Sequence, residues 1–153
     1  MKTRKIAMFV ALLLLPLSLV GCDRETILPE SDVPTAIKNY VAQHFDGDPI
    51  LQSIKDVDGL ELTYDIMLKS MTKLEFNRKY EIIKIEAPLG GSLPNSVIPT
   101  SIREYVEKNY STARITEWAW DTKGTKKYQE VELNDGTIDL IFDANGIFYR
   151  IGD

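Results

Sequence analysis

The sequence predicts an α+β chain whose body is two tandem units, each one helix followed by about four antiparallel strands. Three observations carry this reading. First, Val33-Pro-Thr-Ala-Ile-Lys-Asn-Tyr-Val-Ala-Gln-His-Phe45 returns 65 residues later as Ile98-Pro-Thr-Ser-Ile-Arg-Glu-Tyr-Val-Glu-Lys-Asn-Tyr110, with five of thirteen positions identical. A repeat of that length marks two copies of one supersecondary unit. Second, after each of these segments the apolar period falls from the helical value to two, the period of a half-buried strand. Third, the alternating runs break at Asp58-Gly59, Lys123-Gly124, Asn134-Asp-Gly136 and Asn145-Gly146. These residue types accept the positive φ of tight hairpins.

In chain order the first element is a leader. Lys2, Arg4 and Lys5 precede an apolar run from Ile6 to Val20, and the small Gly21 precedes Cys22. Positive, apolar, small is the order of a secretory signal, which assigns residues 1–21 to a signal peptide. The run holds fifteen residues, one of them Pro16, whereas a bilayer span needs about 18 to 20. Leu19-Val20-Gly21-Cys22 resembles the lipobox of bacterial lipoproteins, which implies diacylglycerol on Cys22. Cys22 is also the one cysteine of the chain, so it has no disulfide partner in a compartment where small domains are usually cross-linked. Acyl burial contributes about 0.8 kcal/mol per methylene, so two or three chains anchor firmly. Residues 22–32 are expected to form a lipidated tether, polar apart from Ile27 and Leu28, with no room for a packed element. The protein is thus placed in the cell envelope, lipid-anchored at the periplasmic face or the outer surface.

The first unit covers residues 33–87. Pro34 stands where a missing N–H costs a helix nothing, and Ile37, Tyr40, Val41 and Phe45 follow as one stripe. Leu60, Leu62, Tyr64, Ile66 and Leu68 then alternate with Glu61, Thr63, Asp65 and Met67. Residues 88–97, with Pro88-Leu-Gly-Gly-Ser-Leu-Pro94, read as a linker. The second unit, 98–153, repeats the stripe with Ile102, Tyr105, Val106 and Tyr110. Its strands are marked by Val131 and Leu133, by Ile138, Leu140 and Phe142, and by Ile147, Tyr149 and Ile151.

These features resemble the PepSY-like family, also described as β-lactamase-inhibitor-like. The carriers are the Pro-x-x-Ile-x-x-Tyr-Val helix in both copies, Val131-Glu-Leu-Asn-Asp-Gly136 and Phe142-Asp-Ala-Asn-Gly146. The resemblance implies helices packed on one face of a curved antiparallel sheet and a non-catalytic role. The first copy departs from the pattern at Ser70-Met71-Thr72 and Asn77-Arg-Lys-Tyr80, which makes its hairpins the less defined ones.

Composition narrows the partners. Of 18 basic residues three lie in the leader, so 15 face 23 acidic ones in the mature part, a formal charge of −8. Nucleic acid is not expected as a partner, and the lipid rather than a basic patch must hold the protein at the membrane. No cofactor is expected, because neither a phosphate loop nor a dinucleotide fingerprint is present. Nor is a metal: one histidine and one lipidated cysteine cannot make a zinc shell, and Asp56-Val-Asp58-Gly59 and Asp143-Ala-Asn145-Gly146 lack the later ligands of a calcium loop. His44, the sole histidine, reads as a helix-surface residue with no nucleophile at helical spacing. Gly90-Gly-Ser-Leu-Pro94 lacks the final glycine of a nucleophile elbow. Glu130 and Glu132 share a strand face, as a glycosidase pair would, but a solvated sheet face in an acidic protein explains them much better.

The copies differ most at Trp118 and Trp120, which stand where the first copy has Ser53 and Lys55. If the first copy keeps that face in water, the second exposes two indoles there, and Trp118 and Trp120 become the candidate ligand-binding residues. Together these readings describe a non-enzymatic binding lipoprotein of the envelope, its partner an unidentified envelope protein or peptide. The alternative is an envelope hydrolase using carboxylates only.

Overall fold

The computed structural model describes residues 24–152. The signal peptide and the lipidation assigned to Cys22 lie outside them. Nine antiparallel strands form one sheet in chain order. They are β1 (Arg24–Ile27), β2 (Ile50–Asp58), β3 (Glu61–Leu68), β4 (Lys73–Asn77), β5 (Ile82–Glu86), β6 (Ile115–Lys123), β7 (Lys126–Leu133), β8 (Ile138–Asp143) and β9 (Phe148–Ile151). Helix α1 (Thr35–His44) lies between β1 and β2, and α2 (Thr100–Asn109) between β5 and β6.

Equivalent residues build equivalent elements. The helices start after Pro34 and Pro99, both at φ −53°, and end at Phe45 and Tyr110 with similar backbone angles. Each is preceded by a 3-10 turn, Glu30–Asp32 and Asn95–Val97. The strands β2 to β5 recur as β6 to β9, with register breaks at Ile50/Gln52 and Ile115/Glu117 and again at Glu75/Phe76 and Ile141/Phe142. Tyr40 sits edge-on to Phe76 at 5.3 Å and 87°, and Tyr105 to Phe142 at 5.4 Å and 87°.

The core follows from strand register. Ser53, Ile66, Leu74, Ile85, Trp118, Val131 and Leu140 are successive cross-strand partners. None is more than 4 % exposed. Partners across an antiparallel ladder point to one face, so this row is a continuous apolar floor under both halves. Ile37, Val41, Ile102 and Val106 of the helices join the same cluster.

Three expectations need correction. Within the expected tether, residues 24–27 are not free: β1 pairs with β2 from Arg24 opposite Val57 to Ile27 opposite Ile54. β1 covers the outer edge of β2 as β5 covers that of β6, and a bare edge would leave a row of unpaired amides and carbonyls. Leu60 is not part of the inward stripe but stands in the hairpin after Gly59, 92 % exposed. In β9 the inward ring is Phe148, stacked on Tyr105 at 4.5 Å, while Ile147, Tyr149 and Ile151 are largely exposed. The break at Ile141/Phe142 sets Phe148 opposite Phe142 and so overrides simple alternation.

The first copy's hairpins do form, at a conformational cost. Met71 and Tyr80 adopt φ of 74° and 63°, in the left-handed region where Gly136 and Gly146 stand in the second copy. That region disfavours an L residue by roughly 1 to 2 kcal/mol. Met71 is half exposed, so Met71→Gly should raise unfolding stability by about 1 kcal/mol, measured as a higher urea midpoint at unchanged slope.

Candidate functional site

The two tryptophans separate. Trp118 is 4 % exposed, and its indole N–H donates to Gln129 Oε1 at 3.0 Å. Gln129 in turn offers its Nε2 to the Asp143 and Ala144 carbonyls at 3.4 Å. The expectation that Trp118 lies on an exposed face is therefore overturned, because its premise fails: Ser53 in the first copy is itself buried. The repeat exchanges bulk across a strand pair. Where the first copy has small Ser53 and buried Tyr64, the second has, at the equivalent positions, Trp118 and Gln129, joined by their hydrogen bond. Trp120 is 36 % exposed, T-shaped against Trp118 at 5.9 Å, with Lys127 Nζ 5.9 Å above its ring. Of the two indoles, Trp120 alone presents a surface to solvent.

The opposite face of the sheet carries the charge. Two neighbouring rows cross it in register. Ile54, Asp65, Glu75 and Lys84 form one, continuing through Ala119 and Glu130. Gln52, Met67, Lys73 and Glu86 form the other, continuing through Glu117, Glu132 and Asp139. The eight residues over β2 to β5 line a hollow of about 260 Å³. Lys84 Nζ bonds Glu117 at 2.7 Å across the junction of the two halves, and Lys73 bonds Glu86 at 3.0 Å.

This face is electrostatically strained. Burial raises Asp65 above the ordinary carboxylate value, and Asp56 and Glu25 add to it. Burial also raises Glu75, helped by Asp65 and opposed by Lys84. Glu132 is raised by burial, Glu117 and Asp139. Burial works to lower Lys84, but the bond to Glu117 and the charges of Glu117, Glu86 and Glu132 win, so it is held protonated. For the three carboxylates the folded state holds the proton more tightly than the unfolded chain. Their contribution is therefore full below the unfolded pKa and is lost as pH rises through the folded one. Glu75→Gln should raise the denaturation midpoint at pH 7 and leave a smaller gain on acidification, measured by urea titration at neutral and mildly acidic pH.

The remaining sequence candidates disperse. His44 packs against Tyr40 at 4.5 Å, and its Nδ1 is buried without a hydrogen-bonding partner among the described residues. Asp143 receives the Asn145 and Ile147 amides and shapes a hairpin. Glu130 and Glu132 do share the charged face. Sequence reasoning found that pair but missed Asp65, Glu75, Lys84 and Glu117. Outward acidic positions are visible strand by strand, but their alignment into rows depends on register.

The chain matches the family provisionally described as beta-lactamase-inhibitor-like, PepSY-like over residues 19–84 and again over 63–150. Among solved structures, a Bacteroides thetaiotaomicron protein provisionally described as calcium-regulated and periplasmic has 22 % identity and a TM-score of 0.73, covering 84 % of this chain and 97 % of that one. A Bacteroides vulgatus protein of the DUF2874 family, provisionally described as periplasmic, has 23 % identity and a TM-score of 0.75, covering 87 % and 100 %. Another from Bacteroides vulgatus, provisionally described as periplasmic and of unknown function, has 24 % identity and a TM-score of 0.74, covering 85 % and 100 %. No curated protein matches the chain. At these identities the structural likeness is one of fold. The two sequence matches together span most of the chain, which therefore belongs to the beta-lactamase-inhibitor-like, PepSY-like family.

Proposed function

We propose that the mature protein is a non-catalytic binding lipoprotein of the cell envelope, anchored through Cys22. In this reading two helix-plus-four-strand units join edge to edge with both helices on one face. The other face then takes a protein or peptide segment carrying lysine or arginine. The observation that carries it is the pair of charged rows around the hollow. Burial, and after it repulsion from neighbouring acids, makes their charged form costly to the fold, and a cationic partner relieves the repulsive part of that cost. The periplasmic descriptions of the structural neighbours agree with an envelope location. Calcium regulation is not carried over, since no group of three or more His, Cys, Asp or Glu able to hold a metal ion is gathered among the described residues.

The carboxylate-only hydrolase has one observation in its favour, the raised Asp65 and Glu75. It needs a substrate-enclosing pocket, whereas this hollow lies open on a sheet face.

Affinity capture from the protein's own envelope tests the reading. Capture should be salt-sensitive, fall at least about tenfold in Asp65→Lys and Glu75→Lys, and survive Glu104→Lys on the helix surface. Capture indifferent to the two sheet-face substitutions would sink it. The anchor is tested separately: wild-type protein should carry acyl mass on Cys22 and fractionate with membranes, and Cys22→Ala should do neither.

A further inference from the structure

The direction of β1 fixes where a lipid on Cys22 would emerge. Only Asp23 separates Cys22 from Arg24, so their Cα atoms lie within about 7 Å. Arg24 pairs with Val57, the residue before the Asp58–Leu60 turn. Because successive strands alternate in direction, the β2–β3, β4–β5, β6–β7 and β8–β9 turns all lie at this same end. Arg78 Nη2 donates to the Leu60 carbonyl at 2.9 Å and ties two of them together.

That end has an interfacial composition. Leu60 is 92 % exposed and Ile147 64 %, with Tyr80 and Trp120 partly exposed nearby. Lys126 and Lys127 are exposed at the start of β7, and Lys127 lies over the Trp120 ring. Exposed Leu60, Ile147 and Tyr80 stand at these turns among the acids Asp58, Glu61 and Glu81 and the bases Arg78 and Lys79, and such aliphatic and amphipathic tips between charges suit the headgroup region of a bilayer.

Resting on the lipid anchor proposed above, we infer that this hairpin end is a second membrane contact, seated on the phospholipid headgroups. The strands then stand away from the bilayer. Asp65 lies about four residues, or ~13 Å, up from the β2–β3 turn and Glu75 and Lys84 about three residues from the β4–β5 turn, while the second row, through Lys73 and Glu86, stands beyond the roughly 8 to 10 Å over which headgroup charge acts. An acidic protein is thereby held close to the membrane with its binding face turned sideways and free.

Trp120 stands three residues above the turn-side end of its own strand, so a tryptophan at the turn supplies the probe, Leu60→Trp in a Trp120→Phe background. Lipidated full-length mature protein of that variant is added to phosphatidylethanolamine–phosphatidylglycerol vesicles with plain or brominated acyl chains. Brominated vesicles should remove about a third or more of the emission. This loss should be absent from Trp120→Phe alone, whose remaining Trp118 is buried, and shrink severalfold when Ile147→Asp is added. Intact mass of the same preparation reports the acyl group. Acylated protein with equal emission in both vesicles, or undiminished quenching after Ile147→Asp, overturns the orientation alone. Absence of acyl mass overturns the anchor and the orientation with it.

Discussion

Trp118→Ala should lower the unfolding free energy by about 3 to 5 kcal/mol, the range of buried aromatic truncations. Three losses add. The indole is 4 % exposed and lies in the central row between Ile85 and Val131. Its removal leaves Gln129 Oε1, itself buried, without the donor that satisfies it. The T-shaped contact with Trp120 also disappears. Trp120→Ala should cost only about 1 kcal/mol, since it loses that ring contact and a half-exposed surface. Denaturant midpoints measure both. Acrylamide gives an independent check: one indole should be shielded and blue-shifted and the other quenchable. Equal stability losses, or two equally quenchable indoles, would contradict the separation of roles.

How far the sequence could be read is clearest at these positions. The 65-residue offset located both helices and the antiparallel strands that follow each, because helical stripes, prolines and turn residues are local signals. It also marked Trp118 and Trp120 as the point of divergence. It could not show that Ser53 is buried, because burial there depends on strand pairing, which sets Ser53 opposite Ile66 in the buried row. The same limit hid β1. Arg24-Glu-Thr-Ile27 has little alternation of its own and is a strand because β2 offers it an open edge. The charged rows were hidden for a related reason: each strand shows its own outward acids, but bulges at Ile50/Gln52 and Glu75/Phe76 decide which acids become neighbours.

Phe76→Ala should cost about 3 to 5 kcal/mol, and it should do so in both halves of the molecule at once. Phe76 is 0 % exposed and carries the edge of Tyr40 from α1. The ladder between the halves holds three residue pairs, Lys84 with Ala119, Ile85 with Trp118 and Glu86 with Glu117, extended by the Ala87 amide donating to the Thr116 carbonyl. So short a ladder by itself would allow separate unfolding. The packing argues against that, because Ile85 and Trp118 are adjacent members of one buried row and belong to the cluster that includes both helices. Exposing either half strips apolar cover from the other, which is the condition for a single transition. Both tryptophans lie in the second half, so their fluorescence follows that half while far-ultraviolet circular dichroism follows the whole. In wild type the two urea transitions should coincide. In Phe76→Ala both should move down together, although the substitution lies in the half without tryptophan. A fluorescence midpoint that stays in place while the dichroism splits into two steps would show that the units fold independently.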